Sequence, residues 1–84
     1  MNRYAQMSSA VGMGPIEDLI SRGIAFASGR KGQVDLVEAH KWFNLAAVGG
    51  DSDAVRRREE IASEMSRDEI AEALRAARTW LSAN

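Results

Sequence analysis

From Pro15 onward the apolar residues recur at helical spacing in four stretches, separated by glycines and helix-capping side chains. That rhythm constrains the fold more than any other feature. Proline occurs once, at Pro15, where a missing N–H costs nothing in the first turn of a helix. Beyond it Ile16, Leu19, Ile20, Gly23, Ile24 and Ala27 share one helical face. Alanine is abundant while Val and Thr are sparse, which favours helix over strand throughout.

The breaks are as informative as the stripes. The first helix is expected to end near Ser28-Gly29, followed by a short loop through Gly32. Asp35 is positioned to cap a second helix, with Glu38 three residues on completing a capping-box-like pair. Leu36, Ala39, Phe43, Ala46 and Ala47 form its main stripe, Trp42 lies at the edge, and Leu45 is nearly opposite Leu36. A helix apolar on more than one side must be covered on more than one side. Gly49-Gly50 supplies a left-handed stop, and Asp51 or Asp53 caps the third helix, with Ala54, Val55, Ile61, Ala62 and Met65 inward. Ser66-Arg67-Asp68-Glu69 is a capping box opening a fourth helix, with Ile70, Ala73, Leu74, Ala77, Trp80 and Leu81 inward.

Gly23 lies within the apolar face of the first helix. A mid-helix glycine costs roughly 1 kcal/mol relative to alanine, so its expected use is close approach of a neighbouring helix. Small residues alternate with bulky ones elsewhere too: Ala39 with Trp42 and Phe43, Ala77 with Trp80. Helical hairpins pack closely in that way.

At 84 residues the chain is expected to form one domain with a small core. It has no cysteine, so neither disulfides nor a thiolate metal site can reinforce that core, and a reducing, cytoplasmic setting is the default expectation. Eleven basic residues against twelve acidic ones give a net charge of −1, unlike a chain built to neutralise phosphates. No apolar run approaches the eighteen or so residues that cross a bilayer. Residues 1–14 show no clear period and read as a flexible lead-in.

Residues 23–54, GIAFASGRKGQVDLVEAHKWFNLAAVGGDSDA, resemble a Sel1-like repeat. The resemblance rests on Gly23, Phe26, Gly29, Asp35, Ala39, Trp42-Phe43, Ala46-Ala47, Gly50-Asp51 and Ala54, in the family's order and spacing. Departures are Arg22, where that family usually has Leu before the first Gly, and Lys31-Gly32 in place of the loop's Gly-Val. The ending EMSRDEIAEALRAARTWL is similar to the terminal segment of small bacterial members. The resemblance implies an all-α, four-helix α/α solenoid of the tetratricopeptide kind. Residues 15–50 would be its first hairpin and 51–84 a divergent closing hairpin, needed because an open apolar end is insoluble. It also implies an adaptor or scaffold for another protein or peptide, with no catalysis and no cofactor; no metal and no small-molecule substrate are expected. It carries over no binding residues.

Four motifs invite sharper readings. His40 and Lys41 suggest a base and its neighbour, but this lone histidine has no second His or Cys to work with, and helical projection puts it at the border of the core stripe. Trp42-Phe43 and Trp80 suggest an exposed aromatic platform, yet at helical spacing among alanines they read as the large half of the packing code. Gly29-Arg30-Lys31-Gly32 lacks the strand and the Gly-Lys-Ser/Thr ending of a phosphate loop. Arg56-Arg57-Arg58 suggests a helix-turn-helix nucleic-acid binder using the helices of 54–80, which is the alternative function. Against it, Glu59-Glu60 follows at once, and residues 54–84 hold six basic and six acidic side chains. Arg56 and Glu60 form an i,i+4 pair suited to a solvated face.

Overall fold

Backbone groups orphaned at helix ends need partners, and here the local side chains supply them. A computed structural model describes residues 15–30 and 32–83, which form α1 (Ile16–Ser28), α2 (Leu36–Val48), α3 (Ser52–Ala62) and α4 (Arg67–Ala83). There is no strand among the described residues. The expectation for residues 1–14 lies outside them, as does Lys31.

Pro15 precedes α1 in an extended conformation, and α1 closes on Gly29 at φ 80°, whose neighbour Arg30 donates its N–H to Ala25 O at 3.0 Å. The α2–α3 junction is tighter. Gly50, at φ 106°, donates to Ala47 O, and Asp51 donates to Ala46 O, the paired bonds of a Schellman stop. The Asp51 carboxylate then accepts from Ala54 N at 2.9 Å and caps α3. One residue therefore ends a helix with its backbone and starts the next with its side chain. Gly49 plays a different part from the left-handed stop expected of the pair: it stays right-handed, and a Cβ there would sit 3.1 Å from Ile16 Cδ1. Between the two candidate caps the structure selects Asp51, leaving Asp53 to Arg56 and Arg57.

At α4 the capping box is complete: Glu69 N donates to Ser66 Oγ at 3.1 Å, and Ser66 N to Glu69 Oε1 at 2.8 Å. At α2 only half of it forms. Asp35 caps Glu38 N at 3.1 Å, but the Asp35 N–H goes to Phe26 O of α1. Glu38 is thereby released to accept from Trp42 Nε1 at 3.2 Å and to pair with Lys41 at 3.1 Å.

The second helix is the centre of the packing. α1, α3 and α4 all pack against it, and of its residues only Val48 is exposed. Ala39, Leu45 and Ala46 are wholly inaccessible and Phe43 nearly so. Toward α1 the approach is set by Gly23: a Cβ there would lie 2.5 Å from Cε1 and 2.7 Å from Cδ1 of Phe43. The ring thus occupies the volume a side chain would need. Toward α4, Trp42 meets Trp80 edge-to-face, with centroids 5.8 Å apart and planes at 76°. Such pairs contribute about 0.5–1.5 kcal/mol beyond the area they bury. Arg22 and Lys41 stack on Trp42 at 4.8 and 4.3 Å from the ring centroid.

The inward stripes of α3 and α4 rest on small residues. Ala54, Ile61, Ala73 and Ala77 are buried, while Val55, Ala62, Met65, Ile70, Leu74, Trp80 and Leu81 are half-buried around them.

Replacing Gly23 with alanine tests this contact. The gain in helix propensity, about 1 kcal/mol, is outweighed by overpacking of roughly 1–3 kcal/mol. Urea unfolding of Gly23→Ala is expected to show a lower midpoint at unchanged slope, partly restored by adding Phe43→Leu. A midpoint at or above the parent's would mean that Phe43 does not fill this space.

Candidate functional site

Because Gly23 lets Phe43 reach up between α1 and α3, these two helices frame a groove with an aromatic floor. Its volume is about 210 Å³. Ile24, Ala27 and Ser28 of α1 form one wall, Arg57, Glu60 and Ile61 of α3 the other, and Phe43 of α2 the base. Leu36 and Met65 pack on the same apolar cluster as Phe43. The rim alternates charge. The Arg57 guanidinium is braced by Asp53 at 2.8 Å (Nε to Oδ2), and Glu60 is braced by Arg56 at 2.9 Å.

The arginine run divides on the helix. Arg56 pairs with both Asp53 and Glu60, and Arg57 with Asp53, all on exposed turns of α3. These bonds hold the Asp53 carboxyl below its ordinary value and push the Arg56 guanidinium up. Pairs as exposed as these contribute little to stability. Arg58 faces the other way. It falls at i+4 from Ala54 and three before Ile61, on the buried stripe, and donates Nη1–H to Asn44 Oδ1 of α2 at 2.6 Å. The Arg56–Glu60 pair expected on a solvated face is therefore present, while the third arginine of the run turns toward α2. The spacing 54, 58, 61 already carried that signal.

The expectation for His40 is corrected. Rather than standing at the border of the stripe it is buried, with 3% of its surface exposed, one turn before Asn44. Its Nδ1 is buried without a hydrogen-bond partner. Burial lowers its pKa below the ordinary 6.5, and the nearby Arg58 charge lowers it further. Lys41, its neighbour in sequence, is turned to Glu38 and Trp42 instead. The pair is not assembled for acid–base work. Trp42 and Phe43 lie in the core and Trp80 half-buried beside them, so no open aromatic platform forms. Gly29 and Gly32 form a turn, Gly32 N donating to Gly29 O at 2.9 Å. Among the described residues no group of three or more His, Asp or Glu side chains is placed to hold a metal ion. No described helix is long and apolar enough to cross a membrane.

No family model matches this chain, and neither does any curated protein or any solved structure.

The state of His40 sets a pH dependence. With its folded pKa below the unfolded value of 6.5, the unfolded chain takes up the proton first. Stability is therefore full above pH 6.5 and falls as the pH drops from there toward the folded value. Thermal midpoints measured across this window are expected to decline in the parent and to decline less in His40→Leu. Parallel declines in the two proteins would mean that the imidazole is not buried.

Proposed function

We propose that this chain is a Sel1-like helical-repeat domain that works as a non-catalytic adaptor, holding a protein or peptide partner in the groove between α1 and α3. The groove over Phe43 carries the reading. Its floor is aromatic, Ile24, Ala27 and Ile61 give its walls their apolar part, its rim holds one braced cation and one braced anion, and it is framed by the first helix of each expected hairpin. At about 210 Å³ it is smaller than the roughly 300–1,000 Å³ of small-molecule sites. It suits one bulky apolar side chain presented by a partner, with polar groups flanking that side chain to meet Arg57 and Glu60.

The Sel1-like assignment draws support from the packing of residues that carry the resemblance: Gly23 under Phe43, Gly29 and Gly50 as left-handed stops, and Asp35 and Asp51 as caps. The nucleic-acid alternative draws none from Arg56 and Arg57, which are compensated by Asp53 and Glu60. Phosphate binding at these two would have to displace those carboxylates.

The test uses the full chain as bait in an extract of its native organism, beside Ala27→Glu in the groove wall and Glu72→Ala on the exposed face of α4. A specific partner should be retained by the parent and by Glu72→Ala, and bound roughly tenfold or more weakly by Ala27→Glu, since an interface core concentrates the binding energy. Equal retention by all three would overturn the groove assignment. Affinity for non-specific DNA falling steeply with salt would overturn the adaptor reading in favour of the alternative.

A further inference from the structure

The polar seam between α2 and α3 is not used by the groove. His40 and Asn44 lie one turn apart on α2, and Arg58, whose charge acts on His40, reaches Asn44 from the inward stripe of α3, where Ala54 and Ile61 are buried on either side. A guanidinium has five N–H donors. Here Asn44 Oδ1 receives the one hydrogen bond formed by Arg58 among the described residues, and no described carboxylate stands within ion-pair distance of it. The two arginines before it, Arg56 and Arg57, each have an acidic partner. Beside it, His40 Nδ1 is buried with no partner at all.

A half-buried cation without a counter-charge and a buried imidazole nitrogen without a partner are each costly to maintain. An anion beside them would give Arg58 its counter-charge and a protonated His40 an acceptor. We propose that Arg58, Asn44 and His40 form a receiving site for an oxyanion, a carboxylate or a phosphate, taken up against the open edge of the Arg58 guanidinium beside the imidazole. Arg58 and Asn44 are half-buried while His40 is buried, so an anion meets the guanidinium before the imidazole. Its planar fork matches the two oxygens of a carboxylate or phosphate. His40 answers electrostatically: an anion at this position favours the imidazolium, so occupancy and protonation of His40 rise together. The site is independent of the groove and stands whether or not the groove holds a partner.

His40 is the chain's one histidine, so its imidazole carbon–proton signals report on the site without ambiguity. The full-length protein is titrated at constant pH and ionic strength with sodium acetate and, separately, with sodium phosphate, sodium chloride making up the balance. The expected result is a saturable shift of the His40 signals toward their protonated position, with a matching rise in thermal midpoint. Arg58→Gln should weaken the response by about tenfold or more, the range expected for losing hydrogen bonds to a charged group. Arg58→Met, which keeps a packed stem, serves where Arg58→Gln does not fold. Whether acetate or phosphate saturates at the lower concentration separates a carboxylate source from a phosphate source. A His40 signal that follows ionic strength alone, or that responds equally in the Arg58 variants, overturns the proposal. A purely structural seam would change the midpoint on substitution and leave the anion response flat.

Discussion

The helix Leu36–Val48 has almost no face to give to water, and the other three helices are placed by that fact. An amphipathic helix can rest on one neighbour. One with Ala39, Leu45, Ala46 and Phe43 around its circumference must be enclosed. The enclosure is achieved with different chemistry on each side. α1 comes close because Gly23 leaves room for the Phe43 ring, while α4 meets Trp42 through an edge-on tryptophan and two inward alanines. α3 shares a mixed seam, apolar at Ala54 and Ile61 and polar where Arg58 reaches Asn44. The groove over Phe43 follows from this arrangement, since the ring that fills the space at Gly23 also forms the floor between α1 and α3.

The connections allow this enclosure because they are short and hydrogen-bonded. Asp51 closes α2 through its amide and opens α3 through its carboxylate, leaving no free linker between them. Asp35 is anchored to Phe26 O, which ties the start of α2 to the body of α1. Glu38, freed from a capping role, satisfies the indole N–H of Trp42, a donor that would otherwise be buried at a cost. Polar atoms near the core are thus paired locally, with His40 Nδ1 the exception among the described residues.

Much of this was legible in the residue order, because helix boundaries are local chemistry. The caps at Asp35 and Ser66, the stop at Gly29 and the close approach at Gly23 each follow from a residue type at a spacing. What escaped was decided by neighbours distant in sequence. The capping box at Asp35 stays half-formed because Phe26 O competes for its amide. Three adjacent arginines look alike in sequence, yet the 100° step of a helix sends Arg58 inward while Arg56 and Arg57 stay with their acids. His40 was placed at a stripe's edge by projecting one helix alone, and enclosure of α2 from several sides removes any edge. The groove needs α1 and α3 side by side, which no single stripe encodes. Only its Ile24, Ala27, Phe43 and Ile61 could be marked in advance, and those as core.

If α2 is the enclosed helix on which the others depend, it should be the last to open, and amide hydrogen exchange under native conditions reads this out residue by residue. Amides of residues 39–46 are expected to exchange most slowly, and only through global unfolding, while those of α3 and α4 open earlier in smaller units. Amides in α3 or α4 that outlast those of α2 would contradict it.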